Sequence, residues 1–171
     1  MTISMDYPTE AEIRWLFGQG VPDTAMLEPE PIRAGKVTFL DKLTFDFDEA
    51  GDRALIFIEE RDLIAWQPRT GKLASWRGMA FALGEDAIWS PASWFAESAL
   101  RVHLTPLHWL QANREGIVIV HPRLAYAMLH HVPRLAFADA VHARQTRLAM
   151  HPPKLCTEFL VEQSAEERHA A

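Results

Sequence analysis

Chemistry in this chain has its most natural foothold where Ile117-Val-Ile-Val120 gives way to His121, Pro122 and Arg123, with Glu115 just upstream. A carboxylate, an imidazole and a guanidinium so close together could exchange protons or hold an anion. The reason to look here is positional. The unbroken β-branched run predicts a strand buried on both faces. Pro122 suits the first turn of a helix, and Leu124, Ala125, Met128 and Leu129 recur at helical spacing. A strand end feeding a helix N-terminus is where α/β proteins place ligands, because free backbone N–H groups and the helix dipole meet there. The corner nevertheless matches no complete catalytic motif.

A second group is basic and aromatic. Trp66, Trp76, Trp89, Trp94 and Trp109 fall in a short span with Phe81 and Phe95, beside Arg69, Lys72 and Arg77. Together they could stack bases or form a peptide groove. Trp66 and Trp76 share sequence parity across a turn, which suggests one face of a hairpin; burial in the core is the favoured expectation for both. Trp94 and Phe95 lie in Ser90–Ser98, a loop-like stretch, and are read as a plug on the core or an exposed anchor. Arg69-Thr-Gly-Lys72 lacks P-loop spacing and reads as a hairpin turn.

The remaining candidates are weaker. All eight histidines lie between His103 and His169, but no His-Glu-x-x-His motif occurs, so they read as surface and helix-end residues and no metal site is expected. No Gly-x-Ser-x-Gly elbow is present around Ser90, Ser93 or Ser98. The single cysteine, Cys156, follows Pro152-Pro153, excludes an internal disulfide and fits a reducing compartment. No cofactor is expected.

The elements that must position these residues read as follows. Thr9-Glu-Ala-Glu12 has capping-box spacing for a helix presenting Ile13, Leu16 and Phe17 and ending at Gly18 and Gly20. Prolines 22, 29 and 31 leave room for a helical turn or two, placed around Ile32. Strands are expected at Val37–Leu40, Leu43–Asp48 (strict alternation), Ala54–Ile58, Leu63–Gln67 and Leu73–Trp76, with turns between them, giving an antiparallel meander. Gly78–Ala92 reads as loop with a short strand at Ala87–Trp89. Thr105 and Pro106 start a helix with Leu107 and Leu110 inward. Leu135–Phe137 is a short strand, and Asp139 caps a helix over Ala140–Met150 whose outer face carries Arg144 and Arg147. The expected fold is α+β: a β meander in the first half with helix–strand–helix elements packed on it. Residues 1–153 form one domain, and 154–171 a partly helical tail.

Two stretches carry a resemblance. Leu63-Ile-Ala-Trp-Gln-Pro-Arg-Thr-Gly-Lys72 with Leu83-Gly84, and Ile117-Val-Ile-Val-His-Pro-Arg-Leu-Ala-Tyr-Ala-Met-Leu129, are similar to parts of the toprim-containing primase proteins of phages, plasmids and integrative elements. In that family a β-rich segment with a Gly-Lys-like turn and a Leu-Gly pair precedes a strand, a Glu-Gly and a helix. Here His121-Pro122 stands in place of the Glu-Gly. The family's mechanism needs that carboxylate as general acid/base and a later Asp-x-Asp pair for Mg²⁺; past His121 no such pair occurs. The resemblance therefore implies a truncated relative without phosphoryl-transfer activity.

Composition limits the function classes. A net charge of −6 opposes a broad grip on nucleic acid, leaving only a local patch such as Arg69–Arg77. Met1–Asp6 lacks signal-peptide character and no apolar run approaches the ~20 residues of a membrane span, so a cytoplasmic protein is expected. The leading expectation is a non-catalytic binding or accessory module with a protein partner, a degenerate primase-related protein of a mobile element. The alternatives are a small enzyme using Glu115, His121 and Arg123, or a nucleic-acid-binding hairpin.

Overall fold

Thr9 opens the first helix as its spacing demands. Its hydroxyl accepts the N–H of Glu12 while the Glu12 carboxylate takes the N–H of Thr9, and α1 runs Glu10–Gly18. The computed structural model describes residues 5–94 and 98–150; Phe95, Cys156, His151, His169 and the expected tail fall outside them. Leu16 is the buried anchor of α1, whereas Phe17 turns outward. The helical turn expected around Ile32 lies earlier, in α2 (Asp23–Leu27). Pro29 and Pro31 end it, and Ile32 instead leads directly into a strand.

Five antiparallel strands follow: β1 (Arg33–Phe39), β2 (Phe45–Phe47), β3 (Asp52–Ile58), β4 (Leu63–Gln67) and β5 (Lys72–Ser75). Their order is β2-β1-β3-β4-β5, so β1 is paired on both sides and β3 returns against β1 rather than β2. The sheet curls until the N–H of Ser75 reaches the carbonyl of Leu43 at 2.9 Å. Curling buries both faces. Leu55, Phe57, Ile64 and Trp66 pack toward α1, α2 and the second half of the chain. Val37, Phe45, Phe47, Ile56 and Ala65 fill the inside of the curl, with Trp76 half-buried against them. This is why Ala54–Phe57 is buried at four successive positions.

Trp66 and Trp76 therefore point to opposite faces, contrary to their shared parity. In the β4–β5 hairpin Trp66 pairs with Leu73 and Gln67 with Lys72, so same-face partners have opposite parity. Trp66 is core, as expected; Trp76 is only partly covered.

The second half builds another lobe. It contains β6 (Ala82–Leu83), α3 (Asp86–Trp89), a 3₁₀ turn at Pro91–Ser93, β7 (Leu100–Val102), α4 (Pro106–Gln111), β8 (Val118–Ile119), α5 (Pro122–Met128), β9 (Leu135–Phe137) and α6 (Ala140–Met150). The expected strand at Ala87–Trp89 is instead helical. Gly84 turns the chain with φ +75°, and its carbonyl then takes the N–H of Ala87. The Ile117–Val120 run is well buried but forms only a two-residue strand, antiparallel to β6, with a bridge from Ile117 to Val102. β7 and β9 pair in parallel. Thr105 caps α4, and Asp139 takes the N–H of His142 at the start of α6, as their positions predict. Leu100, Ile117, Ala125 and Leu129 are the heart of this lobe. The whole is α+β, a curled antiparallel sheet with helices and short strands packed on it. No helix among the described residues is long and apolar enough to cross a membrane.

Candidate functional site

The two lobes meet along the segment Arg77–Glu85, and three carboxylates hold it. Asp62, buried in the β3–β4 turn, accepts the N–H groups of Arg77 (2.9 Å), Met79 (2.8 Å) and Ala80 (3.2 Å). Glu85 accepts those of Phe81 (2.7 Å) and Ala82 (3.4 Å). Glu59, at the end of β3, reaches Gly84 (2.8 Å) and Glu85 (3.3 Å). Buried N–H groups must be paired, and here side chains do what a strand partner would otherwise do. Burial pushes the Glu59 carboxyl up to about 7, and the nearby negative charges of Glu85 and Asp86 add to the effect against the pull of the two N–H groups. Burial likewise raises Glu85.

Beside this seam opens a cleft of about 1370 Å³. Its walls come from the α2–β1 loop (Glu28, Glu30), the end of β3 (Glu59, Glu60), α3 (Asp86) and the α4–β8 turn (Arg114). Arg114 is placed by two successive left-handed residues, Asn113 (φ 53°) and Arg114 itself (φ 62°). Such conformations cost roughly 1–3 kcal/mol each outside glycine and persist where the surroundings over-determine them. Here Asn113 accepts the Thr24 hydroxyl at 2.7 Å, and Arg114 Nε donates to the carbonyl of Ala25 at 2.6 Å. The guanidinium stands over the Trp109 ring at 5.5 Å, and its Nη2 is enclosed without a hydrogen-bond partner. Burial lowers its pKa, while Glu59 and Glu30 favour its charge.

Two glycines allow the walls to come this close. A Cβ on Gly84 would stand 2.6 Å from the carbonyl oxygen of Gly116, and a Cβ on Gly116 would stand 2.4 Å from that of Arg101. Trp109 ties the same corner, donating its indole N–H to the carbonyl of Gly116 at 3.0 Å.

The structure does not gather Glu115, His121 and Arg123 into one pocket. Glu115 lines the cleft and faces Arg101 at 3.4 Å. His121 is the N-cap of α5, its Nδ1 accepting the N–H of Leu124 at 3.5 Å, and it lies within electrostatic reach of Asp41 on the β1–β2 turn. Neither His121 nor Arg123 lines the cleft. The second group is dispersed as well. Lys72 sits over Phe39 and Arg77 over Trp76, on the β2–β5 side of the sheet, while Arg69 is exposed at the hairpin tip. Trp66 and Trp109 are in one core, Phe81 in another, and Trp89 stacks on His131 at 5.3 Å. Trp94 is half-buried in the second lobe, donating its N–H to the carbonyl of Ile88 at 2.8 Å. Of the two readings, packing against the core describes Trp94; its neighbour Phe95 lies outside the described residues.

The histidines divide similarly. His130 is exposed just past the end of α5, but His142 is buried against Phe137 with its Nδ1 unpartnered, and burial lowers its pKa. Among the described residues no three of His, Cys, Asp and Glu converge as metal ligands would.

Sequence reading does not single out Glu59 or Arg114, and it places Trp109 only within the aromatic group. For Glu59 a signal existed: it follows Leu55 and Phe57 at the same parity, which places it on the buried face beyond the strand end. For Arg114 none did, since a left-handed arginine leaves no mark in residue type. No protein-family model matches the chain, and no curated protein or solved structure matches it.

Proposed function

We propose that this chain is a non-catalytic binding module whose ligand enters the cleft between the sheet and the second lobe. The observation that carries this reading is Arg114. A guanidinium is fixed over Trp109 in a strained backbone conformation, within electrostatic reach of the half-buried Glu59, in a cleft large enough for a ligand. The residues that sequence offered for catalysis have other work: Glu115 faces Arg101, and the His121 ring caps a helix. That supports binding over reaction chemistry.

We further propose a cytoplasmic accessory role, with kinship to the primase proteins of mobile elements. Support comes from the order of parts in the second resembling stretch, where a buried strand turns at His121-Pro122 into a helix. With an imidazole where that family holds a carboxylate, no Mg²⁺-dependent phosphoryl transfer is expected.

The test of the binding reading is a screen of small uncharged fragments followed in ¹H–¹⁵N spectra. Hits should move the Trp109 indole N–H and the amides of Gly84, Asn113 and Gly116, and Arg114→Met should remove these shifts without unfolding the protein. Hits that cluster at the Arg69–Arg77 hairpin or at His121–Arg123, leaving the cleft untouched, would overturn it.

A further inference from the structure

The lining of the cleft is charged in a lopsided way. Glu28, Glu30, Glu60 and Asp86 are exposed at its walls, and none of them forms an ion pair with another described residue. The cleft's two guanidiniums are both engaged: Arg101 faces Glu115, and Arg114 donates to the carbonyl of Ala25. Glu28, Glu30, Glu60, Asp86 and Glu115 outnumber the guanidiniums of Arg101 and Arg114 around this concave space, and the excess of negative charge focuses negative potential there. An anionic ligand, such as a nucleic-acid strand, would be repelled at the mouth.

Arg114 sets the other half of the requirement. A guanidinium has donors and no acceptor, so the part of the ligand that reaches the floor must present acceptor oxygens. A simple amine or polyamine does not. The volume, about 1370 Å³, exceeds the ~300–1,000 Å³ usual for small-molecule sites, which favours a segment of polymer. Positive side chains on a backbone rich in carbonyls describe a basic peptide.

Building on the binding-module reading, we infer that the cleft receives a basic peptide segment of a partner protein. Its Lys or Arg side chains meet Glu28, Glu30, Glu60 and Asp86, and one of its backbone carbonyls meets Arg114. Exposed charges of this kind steer encounter and choose the partner more than they add affinity, so binding weakens as salt screens them.

The experiment is fluorescence anisotropy with labelled Lys-Ala-Lys-Ala-Lys, Gln-Ala-Gln-Ala-Gln and Glu-Ala-Glu-Ala-Glu on the full chain. The basic peptide should bind at least about tenfold more tightly than the neutral one, and the acidic one should not bind. The double variant Glu28→Gln plus Glu30→Gln should weaken the basic peptide about tenfold. Glu10→Gln plus Asp52→Asn, which removes the same charge away from the cleft, should leave it within about twofold. Equal binding of the three peptides, no binding, or an equal loss in both double variants would overturn the inference. If neutral fragments still occupy the cleft in that event, the binding-module reading survives alone; if they do not, both fall.

Discussion

The carboxylate of Glu59 and the backbone N–H of Gly84, 2.8 Å apart, join the end of β3 to the turn that starts the second lobe. Glu59 is a half-buried acid used as a clasp, and its titration should therefore be visible in the stability of the whole protein.

The sign follows from where the proton sits. Folded, Glu59 keeps its proton up to about pH 7; unfolded, it releases it near 4.5. Between those values the folded state binds more protons, so stability falls as pH rises through the window and the full cost is present above it. At about 1.4 kcal/mol per pH unit, that cost is on the order of 3 kcal/mol. Glu59→Gln keeps an acceptor for Gly84 and cannot ionise. Urea unfolding at pH 5 and pH 8 should show the wild type losing stability and the variant losing clearly less, with the variant the more stable at pH 8. Parallel profiles for the two proteins would contradict the assignment.

Gly84 should be far less replaceable than Gly71, another left-handed turn glycine. Its φ of +75° disfavours any side chain, and an added Cβ would stand 2.6 Å from the Gly116 oxygen. Gly71, at φ +72°, has nothing within 4 Å. Gly71→Ala should then cost about 1 kcal/mol, the conformational penalty alone, and Gly84→Ala at least twice that. Thermal melts of the two variants decide it; equal costs would show that the walls near Gly84 can yield.

Asp62 answers for three N–H groups of the linking segment as well as that of Leu63. Orphaning a buried donor such as the Ala80 N–H costs roughly 1–3 kcal/mol, and the partly buried N–H groups of Leu63, Arg77 and Met79 add smaller amounts. Asp62→Ala should therefore destabilise by several kcal/mol, with Asp62→Asn in between because one oxygen remains. An Ala variant as stable as wild type would mean that water replaces the carboxylate without penalty.

Trp94 should behave as a core residue despite its loop setting. Its ring packs into the second lobe and its N–H is satisfied by Ile88, so Trp94→Ala should lower stability by about 3 kcal/mol, as large core truncations do. An unmoved melting temperature would return Trp94 to the surface as an anchor.

Much of this architecture was legible because local rules decided it. Thr9, Thr105 and Asp139 announced their helices through capping chemistry, and the Phe45–Phe47 alternation announced its strand. What escaped was set by long-range pairing. Strand order around β1 depends on which edge β3 chooses, and neither edge is marked in residue type. The β4–β5 loop length reversed the parity argument for Trp66 and Trp76. The His121 corner was rightly read as strand-to-helix, yet its strand is a two-residue pairing with β6 and not the centre of a parallel sheet, and His121 and Arg123 stand outside the cleft. The cleft arises instead where segments distant in sequence, from Thr24 to Ala136, meet.

The central claim is that ligand lies in the cleft under Arg114, and the most direct measurement locates it there. Lys-Ala-Lys-Ala-Lys carrying a nitroxide label should broaden the amide signals of Thr24, Glu60, Gly84 and Gly116 and the indole signal of Trp109, all of which belong to residues lining the cleft. Those of Lys72 and Arg77 should stay sharp. Broadening centred on the Arg69–Arg77 hairpin or on His121 and Arg123, with the cleft signals unchanged, would contradict the account.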